Sequence, residues 1–366
     1  MNYTINVENK EKREYEFLIK HREDEKTDNY TFVINGKAVD KECGVIDKKG
    51  RIMCSLDTLK KEQELGVVKT IEEHSHGIMP YYGGKVRQSK ALMNEILQMQ
   101  MKCRKKKFAS LFHGGMSVEL GVSQYRECLG FEKLYANDGD RGTHLVVYCI
   151  QNERDRFIES VNRRMESTNE KETMSERYTR VLREAAGYIN EHRSDNLCCI
   201  DKAEYGAAAF ICTSLSRDNM TNGKAVFKEN NKMCLNRLDT IRKKLDNRFE
   251  REHELLKPFR LYNDYLDDNN IYEMVKQAKG NELFFLDPPY TKGYEGYAMA
   301  LNQENFLNNI SILVDKGCSI IICGYDNALY EKELVLRMNF EKKRLFKLQN
   351  SYGNIYDEYI WIYQGR

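Results

Sequence analysis

An open α/β fold built on a mostly parallel sheet is the expectation for this chain, and three features of its 366 residues carry it. The run Leu283-Phe284-Phe285-Leu286 is apolar without alternation, the pattern of a strand covered on both faces. Ser319-Ile320-Ile321-Ile322-Cys323 repeats the pattern and is ended by Gly324-Tyr325-Asp326-Asn327. Between residues 108 and 138 a strand, a glycine loop, a helix, a second strand and an acid follow one another, the order met in nucleotide-binding sheets.

Composition narrows the class. Apolar residues make up 41% of the chain, enough for a substantial core. Charged residues are 31% and prolines number 4, a balance that favours long helices with charged surfaces. The length suits two domains, or one domain carrying an insertion. A net charge of +2 excludes a global polycation, so nucleic-acid contacts would need local basic clusters. The 11 cysteines fall without a regular frame and without a C-x-x-C pair. Reduced, mostly buried thiols in a cytoplasmic protein are expected. No metal is expected, because His74-Ser75-His76 lacks partners at ligand spacing. The polar start predicts no signal peptide, and no apolar stretch reaches membrane-spanning length.

Residues 1–76 read as a small strand-rich N-terminal module without assignable chemistry. Tyr30-Thr31-Phe32-Val33-Ile34 and Ala38-Val39 flank Asn35-Gly36, a hairpin turn. Strands are predicted at 43–46 and 51–54, and a short helix at 56–65. Residues 77–150 open on the turn Pro80-Tyr81-Tyr82-Gly83-Gly84-Lys85, then a helix at 89–101 and a basic cluster at 102–107. A strand at 108–112 meets the loop His113-Gly114-Gly115-Met116-Ser117. The segment 129–134 leads on to Tyr135-Ala136-Asn137-Asp138. Residues 151–279 are predicted to be mainly helical, with helices at 153–166, 175–192, 202–215, 233–254 and 270–279. Strands return over 280–366.

Asp287-Pro288-Pro289-Tyr290 carries the most chemistry. It follows a buried strand, where open α/β sheets place ligands. Two prolines fix the backbone and leave carbonyls able to accept hydrogen bonds. An acid, a rigid carbonyl and a ring face suit a flat compound bearing an amino group, such as a nucleobase. The glycine loop lets backbone approach a ligand, and the following helix N-terminus offers N–H groups. Asp138 then suits two ribose hydroxyls, or else caps a turn.

With these parts in this order the chain resembles the Dam-type DNA adenine-N6 methyltransferases of the alpha group. Tyr82-Gly83-Gly84-Lys85 resembles the family's aromatic-x-G-G-K motif, and Phe112 to Val118 its F-x-G-G-x-S-V cofactor loop. Ala207-Ala208-Ala209-Phe210-Ile211 is similar to its A-A-x-F helix, and Asp357-Glu358-Tyr359-Ile360-Trp361 to its closing strand. The resemblance covers residues 78–366. It departs at Ser110-Leu111, where an acid and a proline are usual, at His113 and at Met116. The family's hairpin motif is blurred into the residues around Arg217 and Asn219.

The resemblance implies a Rossmann-like S-adenosylmethionine-dependent methyltransferase sheet, residues 77–150 and 280–366, carrying a helical target-recognition insertion at 151–279. It implies methyl transfer to adenine N6 in double-stranded DNA, with the base flipped out of the duplex. Asp287, Pro288, Pro289 and Tyr290 are then the catalytic group. Tyr82, Gly83, Lys85, Phe112, His113, Gly114, Gly115, Ser117, Asp138 and Asp287 are the cofactor-binding residues, with Lys85 holding either the cofactor end or the acid. Lys105, Lys106, Arg217, Asn219, Arg242 and Lys243 are the DNA-binding candidates. A restriction nuclease or defence-system partner is a further candidate, and the oligomeric state is left open. The alternatives are an RNA or other exocyclic-amine methyltransferase, and a degenerate methyltransferase fold kept as a DNA-binding subunit.

Overall fold

The computed structural model describes residues 71, 76–81, 83–166, 172–216, 232–265, 271–289, 301–349 and 355–365, with backbone alone at 232–235, 348–349 and 355–356. Before residue 71 it describes the backbone of six short strands. Tyr82, Arg217, Asn219, Tyr290 and the expected helix at 56–65 lie outside the described residues.

Strands β1 (Thr4–Glu8), β2 (Glu14–His21), β3 (Tyr30–Ile34) and β4 (Lys37–Val39) form an antiparallel sheet in that order. Ile34 opposes Lys37, so β3 and β4 pair in the hairpin register expected of the strands flanking residues 35–36. β5 (Val45–Ile46) and β6 (Ile52–Met53) pair antiparallel.

The main sheet contains β7 (Lys107–Ser110), β8 (Lys133–Asn137), β9 (Phe259–Tyr262), β10 (Glu282–Leu286), β11 (Ser319–Tyr325), β12 (Glu341–Gln349) and β13 (Ile355–Tyr363). Their order is β12-β13-β11-β10-β7-β8-β9. The five strands from β11 to β9 run parallel; β13 is antiparallel to β11, and the edge strand β12 is antiparallel to β13. From β7 the chain steps outward through β8 to β9, then returns to place β10 on the other side of β7. That reversal opens a crevice at the C-terminal ends of β7 and β10.

Helices cover both faces, which is why β10 is apolar from Leu283 to Leu286. The first face is covered by α1 (Ser89–Cys103), α2 (Ser117–Gln124), α3 (Arg126–Leu129), α4 (Arg141–Asn152), α5 (Arg154–Met165), α6 (Met174–Glu191), α7 (Lys202–Leu215), α8 (Lys232–Asp246) and α9 (Glu250–Leu256). The second is covered by α10 (Glu273–Gln277) and α11 (Gln303–Asp315). Strand alternation sorts side chains between the two cores: Leu283 and Phe285 enter the first, Phe284 and Leu286 the second. Among the described residues no helix is long and apolar enough to cross a membrane.

Several expectations shift. The stretch 151–279 contributes β9 to the main sheet, so that sheet resumes at Phe259 rather than at 280. Residues 233–254 form two helices, because Arg248 and Phe249 turn left-handed, each at φ 49°. Leu129 ends α3, and left-handed Gly130 separates it from β8. Helix α4 lies where no element was predicted. Of the described cysteines, Cys149, Cys212, Cys318 and Cys323 are buried, whereas Cys198 and Cys199 are exposed.

Candidate functional site

The glycine loop begins where β7 leaves the sheet. Leu111 N–H still reaches Phe285 O at 3.3 Å, and His113 N–H reaches Asn137 O at 3.0 Å. The chain then turns, with Met116 N–H on His113 O at 2.8 Å, and enters α2. Gly114 has φ 47°, and a Cβ there would meet the Tyr81 ring at 2.8 Å. A Cβ on Gly115 would meet Met79 O at the same distance, 2.8 Å. Both glycines are therefore required by the segment packed outside the loop.

Asp138 pins this loop from the end of β8. Its Oδ2 accepts Gly114 N–H at 2.8 Å, and its Oδ1 accepts Asp140 N–H at 2.9 Å. Burial pushes its carboxyl up to about 7, Asp140 adds to the rise, and the two N–H bonds oppose it. Asn137 beside it ties three strand ends together: its amide donates to Leu111 O and Asp264 O, each at 3.0 Å, and accepts Asp264 N–H at 2.7 Å. His113 is buried, and burial, with His144 next, pushes its ring down to about 3. The ring is neutral, so its 4.0 Å approach to Asp138 is not an ion pair. Its Nδ1 faces Gly114 O at 3.0 Å and so carries the proton. Its Nε2 is buried with no hydrogen-bond partner among the described residues.

Asp287 stands across the crevice, just past β10. Lys85 Nζ lies 2.8 Å from Asp287 Oδ2, 3.3 Å from Glu358 Oε1 and 2.9 Å from Gly83 O. Gln88 Nε2 donates to Glu358 Oε2 at 3.0 Å. Lys85 and Glu358 are almost wholly buried, at 4% and 1% side-chain exposure, whereas Asp287 keeps 18%. Burial disfavours the Lys85 ammonium, but Asp287 and then Glu358 outweigh it, so the lysine is held charged above its usual value. Asp287 is the member of this network that reaches the cleft's open side.

The cleft between these elements has a volume of about 70 Å³ and opens to solvent. Gly83, Lys85, Phe112, His113, Gly114, Gly115, Ser117, Asp138, Asp287, Pro288 and Pro289 all line it. Glu119 also lines it and was not anticipated. Its Oε1 accepts Ser110 Oγ at 2.7 Å, and burial pushes it up to about 8. Gln88 and Asn137 were not anticipated either, and Glu358 was matched only as part of a strand motif. No local signal marks Gln88, Asn137 or Glu358, because their partners are remote in sequence.

Some expected site residues stand elsewhere. Lys85 is engaged by two carboxylates and a carbonyl, so its place is beside the acid. Lys105 is buried, and its ammonium donates to Gly280 O at 2.7 Å and Gly317 O at 2.8 Å, so it is not presented to a phosphate. Lys106 pairs with Glu132 at 3.0 Å before β7, at the end of the sheet opposite the cleft. Arg242 and Lys243 are exposed on α8, with Asp239 3.6 Å from Arg242. The neighbouring Lys244 ammonium donates to Ile78 O, and Ile78 N–H bonds Gly115 O at 2.9 Å, so α8 sits next to the loop.

A family model for D12 class N6 adenine-specific DNA methyltransferases matches residues 81–343. Among solved structures, the rRNA methyltransferase aviRa from Streptomyces viridochromogenes is similar at 10% identity and a TM-score of 0.30, covering 79% of this chain and 87% of that one. No curated protein matches.

Proposed function

The chain belongs to the D12 class N6 adenine-specific DNA methyltransferase family, and from that membership we propose how its cleft performs the reaction. The product is DNA methylated on the N6 amino group of adenine. We take the donor to be S-adenosylmethionine. The lining suits it: carboxyl groups face a cationic ligand, and the buried His113 Nε2 has no hydrogen-bond partner among the described residues. When bound, S-adenosylmethionine supplies an electrophilic methyl group on a sulfonium centre.

The chain's own groups divide the work. Asp138 accepts the ribose hydroxyls while it keeps Gly114 in place. Asp287 and the Pro288 carbonyl accept the two N6 hydrogens, which draws the amine towards sp3 geometry and localises its lone pair. Tyr290 stacks on the base, which leaves the duplex to reach the cleft. Lys85 orients Asp287 through a charged hydrogen bond. Asp287 therefore acts by placing the amine and stabilising the positive charge that grows on N6, rather than by removing a proton first. Glu358 and Gln88 fix Lys85 from the buried side. Arg242 and Lys243 meet DNA phosphates from α8.

The carrying observation is an acid held at the mouth of the crevice by a buried lysine, followed by two prolines. Asp287→Ala is expected to lower methyl transfer to an adenine-containing duplex by roughly two to four orders of magnitude, with S-adenosylmethionine binding retained. Lys85 keeps Glu358 as its counter-ion in that variant, so the fold survives. Near-normal turnover would sink the assignment. Running RNA beside DNA with labelled donor tests the nucleic-acid class.

A further inference from the structure

Glu119 lines the cleft from the first turn of α2, yet the reaction above gives it no task. It is 2% exposed. Its Oε1 is anchored by Ser110 Oγ at 2.7 Å, and Ser110 ends β7, the strand between those leading to Asp138 and Asp287. A serine hydroxyl does not offset the cost of burying a negative charge. Burial raises the Glu119 carboxyl to about 8, against the Ser110 bond, and Asp287 and Asp138 raise it further. A glutamine would make the same bond without that cost. A carboxyl here is suited to a cation that arrives from the cleft.

We propose that Glu119 is a cofactor-binding residue that receives the α-ammonium of S-adenosylmethionine, an inference that rests on the reading of the cleft given above. The ligand carries two cationic centres. Its sulfonium must face Asp287, where the target amine is presented, and its ribose lies with Asp138. Glu119 stands between the two acids and is placed for the ammonium. Pairing with the ammonium stabilises the ionised carboxylate, so binding expels the proton that Glu119 holds near neutral pH. The other titratable groups coupled to Glu119 are Asp138, Asp287 and the Cys323 thiol. Burial holds Cys323 well above the usual thiol value, so it stays neutral. Asp138 also titrates near neutrality, so the difference between wild type and a Glu119 variant isolates the Glu119 proton.

The test is calorimetric titration of the full chain and of Glu119→Gln, which keeps the Ser110 bond. Three ligands are compared at pH 7 in two buffers of different ionisation enthalpy. S-adenosylmethionine has both cations, S-adenosylhomocysteine has the ammonium alone, and 5′-methylthioadenosine has neither. Glu119→Gln should weaken the first two by about tenfold or more and leave the third unchanged. Wild type should release up to about one proton more than the variant with the first two ligands. Equal affinities and equal proton release would overturn the inference, as would weakening confined to S-adenosylmethionine, which would place Glu119 at the sulfonium. If wild type binds none of the three, the reading of the cleft itself fails. Glu119→Asp covers the case in which Gln does not fold: it should lose affinity for the two ammonium ligands only.

Discussion

At the residue scale, the site is a set of buried charges whose costs are met in different ways. Lys85 pairs with both Asp287 and Glu358 and donates to Gly83 O, and Gln88 donates to Glu358. Glu119 and Asp138 have N–H or O–H donors, yet both are raised, to about 8 and about 7. A folded-state value above the unfolded one makes stability fall as pH rises towards the folded value. His113 and His144 are pushed down, to about 3 and about 4, and act oppositely, but their loss is confined to pH below the unfolded 6.5. Between pH 6.5 and 8, and among the described residues, the fall comes from Asp138, up to about 7, and from Glu119, up to about 8. Ligand-free protein should therefore lose stability across that window, by up to about 1.4 kcal/mol per pH unit for each proton. Urea unfolding of wild type and Glu119→Gln at several pH values checks this. The variant should gain on wild type as pH rises, and a constant difference would contradict the Glu119 assignment.

At the scale of elements, the loop between β7 and α2 accommodates Met116 where a glycine suits its geometry. Met116 sits at φ 64°, in the left-handed region, and caps α2. Its side chain is fully buried in the core rather than lining the cleft. Relief of the left-handed strain in Met116→Gly is worth about 1–2 kcal/mol. Loss of a buried methionine costs about 2–5 kcal/mol. The second effect wins, so the variant should melt lower while its S-adenosylmethionine affinity stays near wild type. Tighter binding would mean that the side chain crowds the ligand after all. The turn at Arg248-Phe249 makes a comparable trade: Phe249 is buried at φ 49°, and its ring packs against Phe157 and Phe210 at 5.7 and 5.5 Å.

At the scale of the molecule, the sheet separates chemistry from support. Strand C-terminal ends carry the loop, Asp138 and Asp287, and the opposite ends are closed by Lys105. Lys105→Met should cost about 1.5–3 kcal/mol of stability by leaving two half-buried carbonyls without their charged donor. It should leave the salt dependence of DNA binding unaltered. Arg242→Ala with Lys243→Ala should lower the slope of log affinity against log salt by about 2. A reduced slope in Lys105→Met would return that residue to the DNA surface.

Local sequence was enough for much of this. Uninterrupted apolar runs announced β10 and β11, because a strand covered on both faces has no polar side to alternate. The glycine loop, Asp138 and Asp287 were legible because turn chemistry and strand ends are local. β9 was not: Phe-Arg-Leu-Tyr is too short and too polar to declare itself, and it becomes a strand by pairing with the β8 edge. Lys105 was equally opaque, since a basic run does not say which lysine meets carbonyls 175 and 212 residues away. Gln88 and Glu358 lie 270 residues apart, and Glu119 meets Asp287 and Asp138 only across the crevice. The periods, the turns and the acid at the strand end are local properties and could be read along the chain. Only the order of strands in the folded sheet decided which distant charges would face one another, because that order, not the spacing along the chain, sets the distances over which they interact.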